Sequence, residues 1–229
     1  MKFTRAPLIV CLSLVASACG TTSNVFHSPD ALSAPMQPSV LILPADVVVS
    51  ARTAGGVLET NAGWSRTVAT NLDQALQEHL YEKGVRFAPY GDTIRDQDVS
   101  IIRQVNVLMD AIELSQLQTT IGGDRDYVLG ENERALLQDY NAEYGLLIAF
   151  RANRATAGRV VTAVLAGMGG IALSTSDAQF RAALVDLRDG HMKWANFDAE
   201  ALSDLGDLTK ADSEKWRAAV AHLLKEFPL

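Results

Sequence analysis

Phe180-Arg-Ala-Ala-Leu184-Val-Asp186-Leu-Arg-Asp189-Gly190-His-Met192-Lys-Trp194-Ala-Asn-Phe197 reads as two strands joined by a tight turn. Phe180, Ala182, Leu184 and Leu187 alternate in part with Arg181, Asp186 and Arg188. Arg188-Asp189-Gly190-His191 then reverses the chain, and Met192, Trp194 and Phe197 carry the return strand. An Asp-Gly pair between two apolar runs is a hairpin signal, because both residues tolerate the backbone angles that a tight turn demands. Working back from the hairpin, Tyr144-Gly-Leu-Leu-Ile-Ala-Phe150, Val85 to Pro89, Val47-Val-Val49 and Val40-Leu-Ile-Leu43 are short apolar runs of the kind that form buried strands. Pro44 lies between the last two, where it breaks the ladder or marks a bulge. Thr53-Ala-Gly-Gly56 is a turn.

Helical spacing separates these strands. Trp64, Val68, Leu72, Ala75, Leu76 and Leu80 form one stripe, with Asn61 to cap its start and Gly84 to end it. Ile101, Ile102, Val105, Leu108, Met109 and Ile112 form a second, over about residues 96–117. Glu131 to Tyr140 is a shorter helix. After the hairpin, Asp212 or Ser213 caps a helix carrying Trp216, Val220, Leu223 and Leu224, closed by Pro228. The resulting order is strand, helix, strand, helix, helix, strand, hairpin, helix. That is an α/β fold, a mixed β-sheet packed with helices in a single domain over residues 39–229.

The N-terminus is different in kind. Met1 to Gly20 has a basic start at Lys2 and Arg5, an apolar run from Leu8 to Val15, and Ala16, Ser17 and Ala18 before Cys19. The run is shorter than the roughly 20 residues of a membrane span. The stretch resembles a bacterial lipoprotein signal peptide with its lipobox. The resemblance implies that residues 1–18 are cleaved and that Cys19 receives lipid, palmitate included, on its sulfur and new amino group. An ordinary secretory signal with an incidental cysteine is the alternative. Gly20 follows the cysteine where Asp would retain an enteric lipoprotein at the inner membrane, so the resemblance implies the outer membrane, facing the periplasm. Residues 20–38, rich in Ser, Thr and Pro, read as a tether of about 25 Å r.m.s. span. Docking of Val25 and Phe26 onto the domain is the other reading.

Composition agrees with that address. The chain carries a formal charge of −7, and loss of Lys2 and Arg5 with the signal makes the remainder more acidic. An acidic surface argues against DNA, RNA or anionic lipid as the main partner, because those require clustered Lys and Arg. The two cysteines are Cys11, inside the signal, and Cys19, so the mature domain has no disulfide and is held by its core.

Three groups of residues carry a wider resemblance. They are Leu43-Pro-Ala-Asp46 with Thr53-Ala-Gly-Gly56 and Trp64; Tyr127-Val-Leu-Gly130 with Tyr144 and Phe150; and Leu184 to Gly190 with Trp194-Ala-Asn196. Together they resemble a family of uncharacterised proteobacterial envelope lipoproteins. In element order alone, the layout is similar to the α/β lipoprotein domain of curli secretion subunits and of peptidoglycan synthase activators.

Candidate chemistry is sparse. Gly167-Met-Gly-Gly170 lacks the spacing and the Lys of a phosphate loop. His27, His79, His191 and His222 are scattered without metal-ligand spacing. Asp124-Arg-Asp126 and Asp186 with Asp189 are acidic pairs of the sort that cap and turn chains. Ser65, Ser115, Ser174 and Ser203 lack a nucleophile elbow. No catalytic, metal or cofactor residue is assigned. The longest uncharged stretch, Val160 to Ser176, is apolar and small. It is either a core hairpin or helix, or an interface against another subunit or lipid headgroups, with Val164 and Met168 as interface residues. Trp64 and Trp216 fall on helix core stripes, whereas Trp194 is the tryptophan expected to reach the surface. The expected function is a non-enzymatic, lipid-anchored adaptor that binds an envelope protein. A structural oligomer in an export or assembly complex is the alternative, and a cell-wall hydrolase the second.

Overall fold

The computed structural model describes residues 24–28, 38–91, 95–117, 126–137, 140–169, 176–198, 210 and 212–229. The fold is α/β, as the sequence predicts. Its strands are β1 (Asn24–His27), β2 (Ser39–Ile42), β3 (Asp46–Arg52), β4 (Leu58–Thr60), β5 (Arg86–Pro89), β6 (Tyr144–Ala155), β7 (Ser176–Asp186) and β8 (Met192–Asp198). Its helices are α1 (Ala62–Glu82), α2 (Asp96–Leu117), α3 (Glu131–Leu137), α4 (Ala157–Met168) and α5 (Ser213–Leu223). The strands form one mixed sheet in the order β1-β8-β7-β6-β2-β5, with β3 also on β6 and β4 on β3.

Pro44 explains why β2 and β3 are two strands. Both run parallel to β6 along one edge, with Ile42 opposite Leu146 and Asp46 opposite Ala149. Four steps on one strand thus face three on the other, so an extra residue bulges out beside the proline, which has no N–H to give the ladder. The hairpin forms between β7 and β8 as predicted, with Gly190 at φ +79°. A Cβ at Gly190 would stand 2.6 Å from Arg134 Cγ and 3.2 Å from Leu129 Cβ. Gly190→Ala is therefore expected to destabilise the domain by about 1–2 kcal/mol, read from urea unfolding.

Helices cover both faces of the sheet. On one face α1 and α5 pack Val68, Leu72, Leu76, Leu80, Trp216 and Val220 onto Val40, Tyr144, Leu146, Phe150, Phe180 and Leu184. On the other, α2 and α3 pack Ile101, Val105, Met109, Ile112 and Leu137 onto Leu147, Ala149, Ala183, Val185 and Phe197. This double cover makes the middle of β6 and the apolar part of β7 buried at successive positions instead of alternating. Arg181 is buried on the α2 side, where it pairs with Asp110 and, at 3.7 Å, with Glu113.

Several expectations need correction. Val85 to Pro89 gives β5, an exposed edge strand and not a buried one, because among the described residues no strand pairs with its far side. Strand β6 runs five residues past Phe150, since pairing with β3 and β7 on both edges holds its polar end in the sheet. Within residues 20–38, Asn24–His27 pair antiparallel with β8, and Phe26 packs edge-on against Tyr127 with ring centroids 5.2 Å apart, as the docked reading of Val25 and Phe26 has it. Strand β1 therefore belongs to the sheet. Trp194 does not reach the surface. It is 0% exposed, with its ring 5.4 Å from that of Phe227, because the bulge between Leu184 and Val185 turns it under α5.

Candidate functional site

Two features of the sheet place the N-terminus and α4 at the same end of the molecule. Three antiparallel pairings lead from β1 through β8 and β7 to β6. Strand β1 therefore runs opposite to β6, and its first residue points toward the end at which β6 finishes. Asn24 lies opposite Phe197, Phe197 opposite Arg181, and Arg181 opposite Ala149. Ala149 is six residues before Ala155, so β6 rises about 20 Å above Asn24 at roughly 3.3 Å per residue. Cys19 is five residues before Asn24, a reach of at most about 17–19 Å. The lipid-bearing position expected from the sequence can thus extend to nearly the height at which α4 begins.

Helix α4 begins at that end, directly after β6. Thr156 caps it, accepting from the Arg159 N–H and donating its hydroxyl to the Arg52 carbonyl. A Cβ added at Gly158 would stand 3.4 Å from Ala54 Cβ, on the turn between β3 and β4. The side of α4 turned toward the domain carries Arg159, Thr162, Ala163 and Ala166, all partly buried. The opposite side carries Val160, Val161, Val164, Leu165 and Met168, all exposed, with Val164 at 60% and Met168 at 83%. An ordinary surface helix buries its large apolar side chains and turns small or polar ones outward; α4 does the reverse. Of the two readings of residues 160–176, burial in the core is therefore wrong for the described part, because α4 buries none of its residues. Residues 170–175 lie outside the described residues. Val57 and Leu58, just past the Thr53–Gly56 turn, add two more exposed apolar side chains at this end.

The remaining candidates resolve into structural roles. Asp186 is buried and holds the hairpin turn, accepting from the Arg188 N–H at 2.9 Å and from the Arg188 guanidinium at 2.9 and 2.5 Å. Asp189 accepts from the His191 N–H at 3.0 Å. Asp126 pairs with His191 at 2.8 Å, His222 with Asp198 at 2.5 Å, and His27 with Glu226 at 3.6 Å. Burial holds the His79 imidazole below its usual range. Ser65 accepts from the Val49 N–H, and Ser115 accepts from the Tyr127 hydroxyl. Gly167 and Gly169 stand at the C-terminal end of α4, with Gly169 as its C-cap. No group of His, Cys, Asp and Glu with a metal-binding arrangement occurs among the described residues. Asp124, Ser174 and Ser203 lie outside them, as does Cys19.

Sequence reading missed one polar cluster. Asp98, 0% exposed near the start of α2, accepts hydrogen bonds from the Tyr90 and Tyr140 hydroxyls and from the Arg95 N–H and guanidinium. Burial pushes its carboxyl up, but these donors outweigh it and bring the pKa down to about 2. Tyr140 is pushed up in turn, by burial and by bonding to the carboxylate. The cluster ties β5, α2 and the end of α3 together. Between α2 and the β3–β6 pair lies a shallow groove of about 310 Å³, lined in part by Asp46, Val99, Arg103, Val107 and Arg151. There Asp46 accepts from Asn106 and pairs with Arg151.

No protein-family model matches the chain, and no curated protein matches it. Among solved structures, the PelC dodecamer from Paraburkholderia phytofirmans is similar over 88% of this chain and 98% of that chain, at 11% identity and a TM-score of 0.34. A likeness at that distance carries no argument about function.

Proposed function

We propose that this protein is a lipid-anchored envelope domain, held at the periplasmic face of the outer membrane through Cys19, which acts by binding another envelope protein and not by catalysis. The observation that carries the reading is the docking of β1. With Asn24 fixed in the sheet, four residues separate it from Cys19, in place of the nineteen of a free tether. Such a short leash suits a domain that works against the bilayer surface. The bonding of Asp186 and Asp189 within the hairpin turn, and of His191 to Asp126 and His222 to Asp198, supports the non-catalytic side of the reading. The groove lined by Val99, Arg103, Val107 and Asp110 offers a protein partner mixed apolar and charged contacts.

The anchor is tested by metabolic labelling with palmitate. Label is expected in the wild-type chain and not in Cys19→Ala, which should also keep residues 1–18. Equal labelling of the two, or none in either, would remove the anchor from the account. Crosslinking in cells then tests the partner. A trapped envelope protein lost in Cys19→Ala supports the adaptor, and crosslinks only between copies of this chain favour the structural oligomer.

A further inference from the structure

We propose that the outward face of α4 is a second membrane contact, seated in the interfacial layer of the same leaflet that holds the Cys19 lipid. The inference deepens the lipid-anchor reading and rests on it. Three observations choose lipid as the occupant. First, Asn24 starts β1 pointing toward the end at which β6 finishes, β1 stands three strand positions from β6, about 14 Å across the sheet, and five residues of chain from Asn24 to Cys19 are long enough to reach almost to the height of Ala155. A lipid on Cys19 can therefore place the bilayer surface at the end where α4 begins. Second, the outward face of α4 consists of Val160, Val161, Val164, Leu165 and Met168, with no charge. The helix has no acidic residue, and its one basic residue, Arg159, lies on the side toward the domain. An uncharged apolar face of this kind shares with interfacial helices the side chains that enter the acyl boundary. Third, α4 has twelve residues and is about 18 Å long, far short of a span, so its contact with a bilayer is confined to the interfacial layer. Among the described residues no helix is long and apolar enough to cross a membrane.

The contact complements the anchor. A lipidated cysteine holds the chain at the surface but leaves rotation about the leash free. A second contact beside it fixes which side of the domain faces the periplasm. Because the protein is acidic, attraction comes from apolar insertion and not from charge, and should persist in high salt.

The test uses the lipidated full chain purified from membranes and reconstituted into phosphatidylethanolamine–phosphatidylglycerol vesicles that carry nitroxide on the acyl chains. Cys11 leaves with the signal and Cys19 is acylated, so Met168→Cys or Val164→Cys supplies the single free thiol for an environment-sensitive fluorophore. The expected result is a blue shift and a loss of about twofold or more in emission to the nitroxide at both positions. The same label at Val107→Cys on α2 should be unaffected. Absence of quenching at both α4 positions, with Cys19 acylated by mass spectrometry, overturns this inference and leaves the anchor standing. A blue shift without quenching, accompanied by Met168→Cys disulfides between copies, also overturns it and assigns the face to a second copy. An unacylated Cys19 in the same sample sinks the anchor reading and takes this inference with it.

Discussion

Trp194→Ala is expected to cost about 4 kcal/mol and to lower Tm by roughly 10 °C, leaving the domain barely folded at 37 °C. The indole is fully buried between β8 and the C-terminal segment, edge-on to Phe227. Its neighbour Asn196 donates to the Leu223 carbonyl at 2.7 Å, so the hairpin and the end of α5 are pinned at adjacent points. Removing the ring leaves a cavity that a strand and a helix end cannot both collapse into. Trp194→Phe is the control. It keeps an aromatic ring against Phe227 and deletes an indole N–H that has no hydrogen-bond partner, so it should cost only about 1 kcal/mol. Thermal unfolding of the two variants checks the pair. Similar, small losses in both would mean that Trp194 is exposed after all, and would restore it as a surface residue.

Asp98→Ala is the second large effect, expected at about 3 kcal/mol. It leaves the Tyr90 and Tyr140 hydroxyls and the Arg95 N–H without their acceptor in a buried place. The cluster also predicts a pH dependence. The folded pKa of about 2 lies below the ordinary value of 3.8. Between those values the unfolded chain binds more protons than the folded one, so stability rises with pH there. The contribution is complete above about pH 5 and is lost as pH falls toward 2. Because Arg95 is partly exposed to solvent, screening brings the contribution to about 1–2 kcal/mol. Burial raises the Asp186 carboxyl while its bonds to Arg188 lower it further, so it adds to the same trend. Urea midpoints of wild type and Asp98→Asn should therefore differ more at pH 6 than at pH 2.5. A constant difference would mean that the Asp98 carboxyl keeps its ordinary pKa in the folded state.

Much of this architecture is legible in the residues. The Asp189-Gly190 turn, the Asn61 and Asp212 caps and the stripe over 96–117 each rest on a local rule, and each lies where that rule puts it. What the residues do not show depends on partners distant in sequence. Strand β1 has four residues, too few for a periodic signal, and only pairing with β8 makes it a strand. The exposure of β5 follows from its place at the edge of the sheet, which apolar character cannot reveal. Trp194 shows the same limit. A tight turn is a surface feature, but a bulge two residues along and α5 overhead decide where its strand points. Asp98 escaped notice because its ligands come from three segments, at Tyr90, Arg95 and Tyr140.

Helix α4 is the most instructive case. Its apolar positions were visible, but Thr162, Ala163 and Ala166 opposite them are uncharged and small. Polarity contrast around the helix axis therefore does not say which side is inside. The partly buried side carries Arg159, whose guanidinium lies beside Gly56 of the Thr53–Gly56 turn, together with Thr162, Ala163 and Ala166. The large apolar side chains face outward, at the end of the sheet to which the N-terminus leads.

A docked β1 limits Cys19 to five residues of chain from Asn24, at the end of the sheet where α4 begins. Hydrogen exchange over residues 24–28 of the lipidated protein tests this most directly. The Ser28 N–H donates to the Lys193 carbonyl at 3.0 Å, and β1 pairs with β8 along its length. The account predicts slow exchange for this segment, at least about a hundredfold below the free-peptide rate. Exchange at the free-peptide rate would contradict it. The anchor would then sit on a long tether, and nothing would bring the apolar face of α4 to the membrane.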